Sequence, residues 1–420
     1  MRRSFGTVGV TAAVVAAAGC SADRSGRATR VVTDSAGVEV VTVRPPERPQ
    51  APMPIPVAEI GVASGAQELE FSDVTGALQL PDGRIVVADG GTSELRFFDA
   101  VGSFLKATGG EGEGPGEFRS IDYFGLLGTD TLVVYDGRLR RLSLLDPTGR
   151  FLGSHSVSDV TLPYVVGSLD SGELAAWQHY GPEQEGLGVH AAQVEFGTFA
   201  LPEASFRVLG TARGAEEARV QYRGRITRAF RPFSREGDVA ASGEHMFVLT
   251  SSADNRIRVY DATGRLARVL AIDFERKAPT PEDVSGWVES WMEEFQPPSQ
   301  DVEDWWRFGF REVSPPDSIP LLRSLEVDSE GNVCAERYPL TWGSATHYWC
   351  FTPDGFFVRS LELPAGQVRR GPHPYWDTQL QLTPRRAVGV WAEDLGVERV
   401  KIFELGAAAA AASSTENASR

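Results

Sequence analysis

Six arginines, Arg219, Arg223, Arg225, Arg228, Arg231 and Arg235, crowd the segment ARVQYRGRITRAFRPFSRE (218–236) of an otherwise acidic chain. Guanidinium forks hold carboxylate, sulfate or phosphate through paired N–H donors, and Tyr222, Phe230 and Phe233 add flat faces for stacking. Arg223, Arg225, Arg228 and Arg231 are therefore candidates for binding a small anionic ligand. In the structural alternative the same arginines balance acids of neighbouring segments. Trp305 and Trp306, further along, form a second candidate surface, a lid or a protein contact. The usual catalytic patterns do not occur. The six histidines make no His-Glu-x-x-His motif or close pair, and there is no Gly-x-Ser-x-Gly elbow. Nothing marks a catalytic residue, a metal site or a cofactor site. Asp89 and Asp136 recur at strand ends just before glycine, a position that suits turn capping.

The elements that must carry these residues come from a repeat. LPDGRIVVADGGTSELRFFDAVGSFLKATG (80–109) and LGTDTLVVYDGRLRRLSLLDPTGRFLGSHS (127–156) both read as turn, alternating strand, turn, strand, Asp-x-x-Gly, strand. NRIRVYDATGRLARVLAI (255–272) and HYWCFTPDGFFVRSLEL (347–363) repeat the second half, with Thr352 in place of the aspartate. Asp99 and Asp146 stand one four-stranded sheet apart. Asp146 to Asp261 leaves room for two sheets, the first of them degenerate, between about 159 and 210. Asp261 to Thr352 leaves room for one sheet and an insertion, and RAVGVWAEDLGVERVKIFEL (386–405) supplies two more strands. Six small antiparallel sheets, closed by PVAEIG (56–61), predict an all-β, six-bladed β-propeller.

The insertion, 280–312, lies between the fourth and fifth sheets. Thr280, Pro281 and Asp283 make a helix start, and Val284, Trp287, Val288, Trp291 and Phe295 fall on one helical face. Both helical segments are expected to pack onto an end of the propeller. Cys334 and Cys350 lie on two strands joined by a short loop, and an antiparallel pairing brings them within reach of a disulfide.

GRIVVADGGTSELRFFDAVGSFL, followed by GGEGEGPGEF, resembles the NHL-type repeat of six-bladed β-propeller bacterial lipoproteins. The likeness continues through VVTDSAGVEVV near the start and GVWAEDLGVERVKIFEL near the end, so that it spans roughly residues 30–405. It implies a propeller held in the cell envelope. The glycine-rich stretch KATGGEGEGPGEFRS (106–120) reads as the joint between two sheets, with Phe118 buried and three glutamates in solvent; a calcium loop is the sharper alternative.

The ends fit that address. Residues 1–19 have the layout of an export signal, and Ala17-Ala18-Gly19-Cys20 resembles a lipobox, which makes Cys20 the expected lipidation site. Residues 20–29 then form a tether and residues 406–420 a low-complexity tail. Loss of Arg2 and Arg3 with the signal takes the net charge from −16 to −18, a balance that does not suit nucleic acid. The only membrane association expected is through the lipid, facing periplasm or cell surface, the outer membrane before the inner. The reading that results is a non-catalytic binding or scaffolding propeller, without a cofactor, whose partner is a protein or a small anionic ligand. The alternative is a metal-dependent propeller hydrolase or lyase, since lactonase-type propellers hold a divalent metal near the axis.

Overall fold

The Asp-x-x-Gly turns set where strands begin and end. Asp99 Oδ1 accepts the amides of Val101 at 3.0 Å and Ser103 at 2.8 Å. Asp146 and Asp261 each accept the amides two and four residues on, and Thr352 Oγ1 accepts from Phe356. Gly102, Gly149, Gly264 and Gly355 take φ of 90°, 77°, 86° and 77°, the left-handed region that an L side chain resists. Each turn returns the chain antiparallel to itself.

The computed structural model describes residues 28–46, 51–157, 163–181, 186–251, 254–369, 377–393 and 396–406. Four sheets have four strands each. The first holds Val74–Gln79, Ile85–Asp89, Glu94–Phe98 and Phe104–Gly109; the second holds Tyr123–Leu127, Thr131–Asp136, Arg141–Leu145 and Phe151–Ser156. A third holds Leu322–Val327, Val333–Arg337, Thr346–Phe351 and Phe357–Leu363. The fourth joins Gln381–Leu382, Arg386–Ala392 and Glu398–Glu404 to Pro56–Ile60.

The remaining strands form one eleven-stranded sheet. It contains Tyr164–Ser168, Leu174–His179, Gly188–Ala200, Ser205–Tyr222 and Arg225–Ala229 on one side. Asp238–Ser242, His245–Leu249, Arg256–Asp261, Leu266–Ile272, Val38–Arg44 and Thr29–Ser35 complete it.

The expected fold class, a six-bladed propeller with N-terminal strand closure, is therefore corrected. The core is all-β, but its sheets are four of four strands and one of eleven, accompanied by two helices. The physical reason lies at Gly167, whose backbone bridges in parallel to Ala241 and fuses strands that were expected to form separate third and fourth blades. A Cβ at Gly167 would run into the Ala241 carbonyl, so only glycine permits the approach. The N-terminal segment also does more than supply one strand. Pro56–Ile60 lies antiparallel to Glu398–Glu404, while the hairpin Thr29–Ser35/Val38–Arg44 adds in parallel to Leu266–Ile272. The supposedly degenerate third set holds the two longest strands, Gly188–Ala200 and Ser205–Tyr222.

Apolar faces of adjacent sheets meet in a series of clusters. One contains Val86, Leu95 and Phe97 of the first sheet, Phe124 and Leu132 of the second, and Phe118 of the glycine-rich loop between them. Phe118 is 0% exposed. Glu111 and Glu113 pair with Arg119 at 3.2 and 3.3 Å, and Glu117 accepts the Gly114 amide, so the loop's carboxylates are engaged within it. Cys334 and Cys350 sit directly opposite one another in neighbouring strands and are joined by a disulfide with an S–S distance of 2.06 Å.

Helix α1 (Pro281–Phe295) starts at a capping box made by Thr280 and Asp283, and α2 (Gln300–Glu312) follows it. Trp287, Val288, Trp291 and Met292 of α1 pack with Phe310 of α2 against Phe233, Tyr338 and Trp342. These helices cover apolar side chains that the sheets leave open.

If the glycine-rich loop is a joint, Phe118→Ala should cost about 3–5 kcal/mol in urea unfolding, while Glu113→Gln should change stability by less than about 0.5 kcal/mol. A larger effect of the glutamate than of the phenylalanine would point to an ion site instead.

Candidate functional site

One strand from each local set faces a common interior space. Val74–Gln79, Tyr123–Leu127, Tyr164–Ser168, Asp238–Ser242, Leu322–Val327 and Gln381–Leu382 all contribute to the wall of a central cavity of about 620 Å³. That volume suits a small organic molecule.

The chemistry gathers on one side of this cavity. Arg323, 0% exposed, donates through one guanidinium nitrogen to Glu336 at 3.0 Å and to Asp377 at 2.6 Å. Arg369 donates to Glu336 at 2.6 Å and to Asp377 at 3.3 Å, and Ser324 Oγ donates to Glu336 at 2.6 Å. Burial alone would raise Glu336, but Arg369 and Arg323 outweigh it and hold the carboxyl at about 2. Asp377 moves the other way, raised by burial against the pull of the same two arginines.

Asp238 opens its strand beside this network. Its two carboxyl oxygens accept the amides of Val239 at 2.8 Å and Leu325 at 2.7 Å. The second contact reaches the neighbouring strand and places Asp238 beside Glu326. Burial pushes Asp238 up to about 7, against the backbone donors and Arg323. Glu326 is raised well above the ordinary carboxylate range, first by burial and then by the charges of Asp238, Glu336 and Asp377. Two neighbouring carboxyls are thus both raised out of their usual range.

Aromatic rings face the same space. Tyr164 stacks on Trp177 with centroids 4.4 Å apart, and both line the cavity with Tyr123, Tyr135 and Tyr348. Burial pushes Tyr135 up to about 12, so its hydroxyl keeps its proton. Among the described residues, no group of three or more His, Cys, Asp or Glu side chains is arranged to hold a metal ion. The residues present do not form the metal cradle of the metal-dependent alternative.

The residues singled out in the sequence lie elsewhere. Arg223 pairs with Asp301 at 3.4 Å on an exposed surface, Arg225 is exposed, and Arg228 stands 3.7 Å from Glu217. Arg231 and Arg235 share the buried Glu216 at 2.6 and 3.3 Å. Trp305 donates its indole N–H to the Arg228 carbonyl, and Trp306 packs edge-on against Trp291. None of these side chains lines the central cavity. Cys20 lies outside the described residues. Asp89 and Asp136 cap turns, accepting the amides of Gly91 and Leu139, and Asp89 also pairs with Arg96 at 3.0 Å.

Sequence reasoning passed over Asp238, Glu326 and the four-membered network. The available signal was LRSLEV (322–327), a strand that carries an arginine and a glutamate where its neighbours are apolar.

A family model described as "6-bladed beta-propeller" matches residues 68–192, less than half of the chain. No curated protein matches the sequence. Among solved structures, the chain is similar to a Bacteroides fragilis protein described as exported, at 11% identity and TM-score 0.45, over 84% of this chain and 96% of that one. It is also similar to virginiamycin B lyase from Staphylococcus aureus, at 9% identity and TM-score 0.39, over 83% and 98% of the two chains. A streptogramin B lyase structure gives 12% identity and TM-score 0.37, over 83% and 97%.

Two expectations are corrected at this point. The description of the matching model names neither an NHL repeat nor a lipoprotein, and its blade count is the family's description; in this chain the strands divide into four small sheets and one of eleven. The non-catalytic scaffold, with an enzyme as the less favoured reading, also gives way. Two neighbouring carboxyls raised in pKa on a cavity wall are an arrangement suited to proton transfer, which a scaffold does not require.

Glu336→Gln leaves two buried guanidinium groups short of charge and should cost about 3–5 kcal/mol. Because the folded Glu336 carboxyl lies below its ordinary 4.5, its contribution is complete above about pH 4.5 and disappears as pH falls through about 2. Urea midpoints of both proteins across that range check this. A gap between them that persists unchanged at the acid end would contradict the assignment.

Proposed function

We propose that this chain is a propeller enzyme of the hydrolase or lyase class, and that Asp238 and Glu326 perform its proton transfers in the central cavity. The observation that carries the reading is their placement: two neighbouring carboxyls, on adjacent strands, at the wall of a cavity large enough for a small organic substrate. Asp238, raised to about 7, is assigned as the base, and Glu326, raised well above the ordinary carboxylate range, as the acid. The Val239 and Leu325 amides fix the orientation of Asp238 and leave its outward lone pairs to meet a substrate proton. The buried arginines keep Glu336 ionised, and that negative charge helps hold the proton on Glu326. Tyr135 and Tyr348, both kept neutral by burial, are donors available to a developing oxyanion. No step is routed through a metal.

An exported location accompanies this reading. It is supported by the leader-like residues 1–19 and by the Cys334–Cys350 disulfide, a bond suited to an oxidising compartment. Anchoring at Cys20 and outer-membrane placement are finer parts of the same proposal. Palmitate should label the wild type and not Cys20→Ala, which should leave the membrane fraction; a variant that stays membrane-bound would remove the anchor.

For catalysis, the wild type should turn over members of a panel of esters, lactones and elimination substrates. Turnover should rise as Asp238 loses its proton through about pH 7 and be lost wherever Glu326 is deprotonated. Asp238→Asn and Glu326→Gln should each lower the rate by about 10²-fold or more without unfolding the protein. Rates indifferent to both substitutions would reject the assignment.

A further inference from the structure

We propose that the central cavity recognises a protonated amine, so that the substrate of the reaction proposed above is a cationic small molecule. The inference deepens that reading and rests on the same cavity, but it concerns binding, not turnover.

Charge on the wall is one-sided. Asp122, Asp238, Glu326, Asp328, Glu336 and Asp377 line the cavity, and no Lys, Arg or His does so among the described residues. Not all of this charge is free. Glu336 and Asp377 are held from the side by Arg323 and Arg369. Asp328 is engaged in its own turn, where it accepts the amides of Glu330 and Asn332 and the Asn332 side chain. Asp122 and Asp238 remain as the carboxylates facing a ligand, although Asp122 Oδ2 also accepts from Ser120 Oγ and the Gly137 amide and both Asp238 oxygens accept backbone amides; Glu326 holds its proton. An anion would meet uncompensated repulsion there, whereas a cation would relieve it.

Among the cavity-lining polar atoms without a hydrogen-bond partner, two are acceptors, and the Tyr135 hydroxyl can donate or accept. Gln367 is 8% exposed, lines the cavity, and its Oε1 accepts no hydrogen bond among the described residues. Asp377 Oδ1 is likewise without a donor. Both are acceptors, so the missing component is a donor, and an ammonium group supplies three. Buried acceptors of this kind are costly to leave open. The stacked Tyr164 and Trp177 rings add the electron-rich faces that cations prefer. Carboxylates, unfilled acceptors and aromatic faces on one wall together describe a site for an amine attached to an apolar body.

Calorimetry on the full chain at pH 8 tests this with three probes of similar size: benzylamine, benzyl alcohol and benzoate. Benzylamine should bind with 1:1 stoichiometry and at least about tenfold more tightly than either of the others, the scale of one charge-assisted hydrogen bond. Asp238→Asn, which removes a carboxylate ionised at pH 8, should weaken benzylamine about tenfold and leave benzyl alcohol unchanged. Equal or stronger binding of benzoate, no binding of benzylamine, or an amine affinity indifferent to Asp238→Asn would overturn the proposal. Should that variant fail to fold, the order of the three probes on the wild type decides alone. Amine binding without any turnover would leave this site standing and remove the catalytic reading; turnover of neutral or anionic substrates would do the reverse.

Discussion

Arg323, Glu336, Arg369 and Asp377 form a buried network that draws together two strands of one sheet and the segment leading into the next. Taking such groups out of water is expensive, and an apolar cluster of equal volume would serve stability as well or better. What the network provides is a fixed field. Both guanidinium groups also lie over the Trp342 ring, at 5.4 and 5.7 Å, which ties them to the apolar cluster under helix α1. A small second cavity of about 240 Å³ touches Glu336 and Arg369 from the opposite side to the central one. The network is thus a partition. On one side it carries the helical insertion and on the other it sets the charge of the cavity.

The sheets follow from simpler rules. Turn aspartates and glycines reverse the chain, alternating apolar strands bury both faces between neighbours, and aromatic joints such as Phe118 fill the wedges. That rigid ring lets the cavity keep groups that folding alone would not choose. Burial destabilises the ionised forms of Asp238 and Glu326, and nearby charge adds to it, from Asp377 at Asp238 and from Asp238, Glu336 and Asp377 at Glu326. The cost is offset by the surrounding core, and the result is a pair of carboxyls raised out of the ordinary range, Asp238 to about 7.

The sequence made the local devices legible and concealed the site, for a physical reason. Asp-x-x-Gly turns, the Thr280–Asp283 capping box and the apolar face of α1 are contacts between residues a few positions apart, so spacing alone reveals them. Cys334 and Cys350 were placed on neighbouring strands for the same reason, although their register was not readable. The cavity is assembled from strands hundreds of residues apart, as when Gln79 meets Gln381, and no spacing rule encodes that. The arginine cluster misled by its density. Charge that is close in sequence is conspicuous, yet here it serves a long hairpin and its acidic neighbours, Glu216 and Glu217. The fusion of two sheets depends on one backbone contact, between Gly167 and Ala241, which no local spacing signals.

The most direct test of the account is the protonation state of Asp238 itself. Difference infrared spectra of wild type against Asp238→Asn, recorded through a pH titration, isolate its carboxylic acid band. The account predicts that this band persists above the ordinary Asp range and is lost with a midpoint near pH 7. A midpoint near the ordinary 3.8 would show a carboxylate that is always ionised, and would contradict the proton-transfer role assigned to the cavity.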